Sequence, residues 1–178
     1  MTTPRYDIYR YIHKGMRSFL TDTLMSVGQM DVHSEDAVTA TFEQLQSLMN
    51  FCQGHLEHEN QFIHTAMNAR CPGSAMGMYD HHDQHLEMIG ELRALAGELL
   101  LTCNPNRDPL SILLYRKLAI FVADNLAHMH EEETQNNAVL WQHYSDAEIE
   151  QIEHDLVASI PPEENAETMG WVLPALGV

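Results

Sequence analysis

Apolar residues recur at three- and four-residue steps along most of the chain, and no segment shows the strict alternation of a half-buried strand. Tyr9, Ile12, Met16, Leu20 and Leu24 form one such stripe, which predicts a first helix over residues 5–27 with Pro4 suited to its first turn. Gly28 and the polar residues to His33 form a connection. Ser34, followed by Glu35 and Asp36, reads as an N-cap with acids in the first turn. From there Val38, Phe42, Leu45, Leu48, Cys52, Leu56, Phe62 and Met67 carry the pattern to about Arg70, where Cys71-Pro72-Gly73 breaks it. A helix of that length is long for a globular domain.

A third helix is expected over residues 74–103, with Met78, His85, Met88, Ile89, Leu92, Leu95 and Leu99 inward, together with His81 or His82. The turn cluster from Asn104 to Pro109 offers Asp108 as N-cap and Pro109 at the first helical position. A fourth helix then runs over residues 109–144 through Ile112, Leu118, Phe121, Ala127 and Val139. Four long helices with short connections predict an all-α, up-down antiparallel four-helix bundle. Ser145-Asp146-Ala147-Glu148 opens a shorter fifth helix that Pro161-Pro162 stops. In the tail beyond it, Trp171, Val172, Leu173, Leu176 and Val178 predict packing on the bundle or on a partner. The expected division is a bundle over residues 1–144 and an extension over residues 145–178.

Composition narrows the function. Nine basic residues stand against 26 acids, a formal charge of −17, so there is no basic footprint for nucleic acid or an anionic membrane surface. The apolar runs are too short to cross a bilayer, and the opening residues lack the apolar core of a signal peptide. Cys52, Cys71 and Cys103 are odd in number and widely spaced, which points to neither a disulfide framework nor a thiolate metal site and fits a reducing cytoplasm. What needs a physical reason is the count of 12 histidines.

Several of them pair with a ligand-type residue at helical spacing. His55 and Glu59 lie four apart on the second helix, His81 and His85 four apart on the third, and His128 and Glu132 four apart on the fourth, while His13 falls on the first helix stripe. Residues four apart share a helix face, so each pair offers two ligands to one place. The register agrees: nineteen residues separate His85 from Asn104 and twenty separate Asp108 from His128, whereas the match between the first and second helices is looser. Five imidazoles and two carboxylates exceed one tetrahedral site and suit two metals bridged by the carboxylates, with iron, manganese or zinc favoured over thiophilic ions. His82 is the alternative to His81, and Glu133 the alternative to Glu132. His58 and His130 flank the ligand lines, and Tyr9, Tyr79 and Asp124 stand one turn from candidate ligands as candidate orienting groups. His33, His64, His143 and His154 read as surface or hydrogen-bonded residues.

The ordered series H…HxxxE…HxxxH…HxxxE over residues 5–144 resembles the hemerythrin and HHE cation-binding family. The resemblance implies two iron ions, one held by His13 and His55 and the other by His81, His85 and His128, with Glu59 and the helix-four carboxylate bridging. It also implies an open position on the two-histidine iron for O₂ or a related small molecule. The function expected from it is sensing, storage or scavenging of such a molecule by a monomer or homodimer. The alternatives are a di-iron oxidase, peroxidase or nitric-oxide-handling enzyme, and an iron- or redox-regulated interaction module. The chain departs from the oxygen carriers in its His-Met-His-Glu-Glu-Glu run, where they place Asp five residues after the histidine, and in its C-terminal extension.

Overall fold

A computed structural model describes residues 4–177. Among the described residues six helices follow one another and no strand occurs. Helix α1 is Arg10–Gln29, α3 is Met76–Leu101, α5 is Asp146–Ser159 and α6 is Pro162–Ala175. Helix α2 spans residues 35–70 as an α segment Glu35–His58, one π turn Glu59–Ile63 and a second α segment His64–Arg70. Helix α4 repeats this design over residues 107–143, with its π turn at Glu132–Asn136.

The caps explain the boundaries. Ser34 accepts from the backbone of Ala37 at the start of α2, and Ser145 forms a capping box with Glu148 at the start of α5. Helix α4 begins two residues before the expected Pro109: Asn106 is its N-cap and Asp108 lies in its first turn, where a carboxylate meets the positive end of the helix dipole. Pro161-Pro162 stops α5 as expected. Pro162 also starts α6, because a proline at N1 loses no intrahelical bond, so the tail, to which the sequence pattern assigns packing but no helix, is helical over Pro162–Ala175. Val178 lies outside the described residues.

Helices α1 to α4 close a ring in which α1 packs on α2 and α4, and α3 packs on α2 and α4. Two apolar clusters fill it. The larger holds Met16, Phe19, Leu48, Leu56, Ile89, Leu118 and Met129, and the smaller holds Ile8, Tyr9, Ile63, Met67, Ala75 and Leu140 with Ile149 of α5. The order of the clusters along the chain reverses from each helix to the next, as antiparallel neighbours require. Each helix changes cluster within a short gap, and in those gaps lie His13, Glu59, His82, His85 and Glu132. The bundle therefore carries one polar layer between two apolar plugs.

The last two helices lie against the bundle. Helix α6 packs on α1 so closely that a Cβ at Gly15 would sit 2.6 Å from Cγ2 and 3.0 Å from Cα of Val172, and Trp171 stacks on Phe19 with centroids 4.0 Å apart. Helix α5 packs on the π turn of α2. Its N-terminus is tied down by Arg70 to Glu148 at 2.5 Å and Arg5 to Asp146 at 2.6 Å. No helix among the described residues is long and apolar enough to cross a membrane.

Candidate metal centre

The polar layer brings six donor side chains from four helices into two overlapping groups. Donor atoms of His13, His55, Glu59 and Glu132 lie within 4.8 Å of one another, and so do those of Glu59, His82, His128 and Glu132. The two carboxylates belong to both groups and divide their oxygens between them. Glu59 turns Oε1 to His55 Nε2 at 3.1 Å and to His13 Nε2 at 3.8 Å, while its Oε2 is 3.5 Å from His82 Nε2. Glu132 turns Oε2 to His13 Nε2 at 3.5 Å, and Oε1 to His128 Nε2 at 3.3 Å and His82 Nε2 at 3.7 Å. All of these residues are buried except His55, whose side chain is 8% exposed.

The two π turns account for this symmetry. Each begins at a carboxylate: the backbone N–H of His64 donates to the Glu59 carbonyl and that of Asn137 to the Glu132 carbonyl, five residues on. Such single-turn bulges insert one residue into a helix and rotate the next segment about the axis. In both cases the residue after the carboxylate holds a histidine on another helix. Asn60 Oδ1 accepts from His82 Nδ1 at 2.9 Å and from His64 Nδ1 at 3.0 Å. Glu133 Oε1 accepts from His13 Nδ1 at 3.1 Å and from Arg17 Nη1 at 2.6 Å, while its Oε2 accepts from Arg17 Nη2 at 3.0 Å. With Nδ1 carrying the proton, Nε2 of His82 and of His13 presents its lone pair toward the carboxylates, as a cation ligand would, and Nε2 of His82 also lies 3.0 Å from Nε2 of His128. Tyr9 stacks on His13, and its hydroxyl accepts from Asn136.

The electrostatics fit a cation in this layer. Burial pushes Glu59 up, yet His55, His13 and His82 hold it well below the usual carboxylate range. Burial and the charge of Glu59 raise Glu132, and His128 and His82 bring it down. Burial lowers His13, but Glu133, Glu59 and Glu132 lift it to about 9, and Glu132 raises His128 against its own burial. Protons on these imidazoles thus take the place a cation would fill, and cation uptake would displace them. Both oxygens of Glu59, both of Glu132, and Nε2 of His13 and His55 are buried with no hydrogen-bond partner. Leaving such groups unpaired costs several kcal/mol, which a divalent ion held by imidazole and carboxylate removes.

Of the residues singled out from sequence, His13, His55, Glu59, His128 and Glu132 are brought together. His81 lies outside both donor groups, with its side chain 41% exposed, 3.8 Å from Glu131 and edge-on to His128, while His82 is the buried member of the layer. Both positions lie within one turn of His85, and Asn60 on the neighbouring helix captures His82. His85 is buried edge-on against His128 with centroids 5.0 Å apart, outside both donor groups. Its unpartnered environment, burial first and then His128 and His82, lowers it to about 3. Between Glu132 and Glu133, the former enters the layer and the latter orients His13. His64, read as a surface or hydrogen-bonded residue, is fully buried and stacked on His82, with Nε2 lacking a partner. Asp124 is exposed and does not orient His128, whose buried Nδ1 has no partner, and His130 is exposed as well.

Among known families, the model of the hemerythrin HHE cation binding domain matches residues 5–139. No curated protein and no solved structure matches the chain.

Proposed function

The chain belongs to the hemerythrin HHE cation-binding family, and from that premise we propose that it is a non-haem di-iron protein that binds O₂ or a related small molecule for sensing, storage or scavenging. In this reading His13 and His55 would hold one iron, His82 and His128 with the adjoining His85 would hold the other, and Glu59 and Glu132, which belong to both groups, would serve both. The observation that carries the reading is the division of oxygens: each carboxylate offers one oxygen to each imidazole group. Manganese or zinc would accept the same donors.

A ferrous pair, when bound, supplies two electrons to a small oxidant. The chain's own residues supply the rest. Asn60 and Glu133 keep Nε2 of His82 and His13 turned inward, and the apolar clusters on either side keep bulk water from the layer. Anaerobic loading with ferrous ion, then exposure to O₂, tests the reading. A visible charge-transfer band that reverses under vacuum is expected, whereas irreversible bleaching with peroxide turnover would assign the protein to the di-iron oxidases or peroxidases. One observation favours that second reading: a cavity adjoins His55 and Glu59, the edge where the two-histidine group lies.

A further inference from the structure

The cavity is built from two parts of the chain. Tyr9, His55, Glu59 and Phe51 of the bundle form its inner wall, and residues of α5 and α6, among them Leu156, Val157, Met169 and Val172, roof it. Those roof residues lie beyond the family match, which ends at residue 139. The roof is firmly seated, since α6 meets α1 in backbone contact at Gly15 and Trp171 stacks on Phe19.

The volume is about 120 Å³, and the walls are mainly aliphatic and aromatic. Dry apolar cavities near this size hold a benzene-sized molecule. Two polar features restrict the occupant. Asn165 lines the cavity, and its buried Oδ1 has no hydrogen-bond partner, so an acceptor waits for a donor. Three glutamates, Glu59, Glu153 and Glu164, line it against two histidines, His55 and His58, and the acidic excess disfavours an anion. Glu153 already accepts from the Tyr6 hydroxyl.

We propose that α5 and α6 form a binding chamber for a small neutral organic molecule, with an apolar body of about one ring and one hydrogen-bond donor directed to Asn165, lying against the His55–Glu59 edge. The chamber rests on the metal-centre reading only for what its inner end faces. Its occupant makes the extension a selectivity element for an organic ligand, in addition to the diatomic or peroxide ligand of the centre.

The test is ¹⁹F NMR titration of the full chain with 4-fluorophenol, fluorobenzene and 4-fluorobenzoate, with metal content measured on the same sample. The expected result is saturable binding of the phenol, about fivefold tighter than fluorobenzene because of one hydrogen bond, and no binding of the benzoate. Asn165→Leu should level phenol and fluorobenzene. Val157→Trp, at a position 40% exposed and therefore tolerant of a larger side chain, should abolish both, and Met169→Trp gives a second block; each variant is compared with the parent by melting temperature. Absence of saturable binding, or binding indifferent to both blocking variants, overturns the chamber. A phenol preference that survives Asn165→Leu overturns the donor assignment. Phenol binding by a chain devoid of metal would leave the chamber standing and remove the metal centre.

Discussion

Asn60 and Glu133 each come one residue after a layer carboxylate, and each fixes a histidine that belongs to a different helix. Neither needs to touch a metal to matter, because a ligand imidazole free to rotate or change tautomer binds less well. Glu133→Ala should therefore weaken metal binding about 10–100-fold while leaving stoichiometry at two, read by competition with a chromogenic chelator. His82→Ala should instead lower the stoichiometry, and His81→Ala should leave both stoichiometry and affinity unchanged; the reverse result would restore the sequence-based choice. The pairs His55–Glu59 and His128–Glu132 were legible in the sequence because both members share one helix, where spacing alone puts them on one face. The choice between His81 and His82 was not, since both lie within a turn of His85 and the decision comes from Asn60 across the helix interface. His64 is hydrogen-bonded to Asn60, one of the two states read for it, while its full burial was not legible because it lies five residues from Glu59, a spacing that meets the same face only through a π turn.

At the level of elements, hydrophobic period and capping residues located the four bundle helices to within a few residues, apart from the later start of α1 at Arg10. The π turns leave no such mark, because apolar periodicity continues on either side of them. Helix α6 was missed because two prolines read first as a stop, although the second of them is also a good start. Its seat on α1 depends on Gly15. Gly15→Ala places a methyl group against the Val172 backbone, which should cost about 1–3 kcal/mol and release α6, seen as a red shift of Trp171 fluorescence as its indole leaves Phe19. Ion pairs add to the apolar seat of Ile149 in holding α5. Hydrogen bonds from Arg70 and Ser145 keep Glu148 at about 2, below its ordinary 4.5. Because the folded value is the lower one, this contact contributes fully above about pH 4.5 and is lost as the pH falls toward 2. Hydrogen-exchange protection at Ile149 should decline over that window, and Arg70→Gln should weaken the dependence to the part that Ser145 contributes.

For the whole molecule, the bundle is a scaffold whose two apolar plugs enclose a layer that the chain cannot satisfy by itself. Metal and fold are therefore linked: chelation leaves the oxygens of Glu59 and Glu132 buried and unpaired. A loss of several kcal/mol in a chain of this size should lower the melting temperature by roughly 10 °C, measured by calorimetry with and without chelator. The formal charge of −17 keeps chains apart by mutual repulsion. The most direct check on the central claim is the metal content of the protein isolated without added metal, by elemental analysis against amino-acid quantitation. Two iron ions per chain are expected; a metal-free chain that keeps the same melting temperature and helical content would contradict the account.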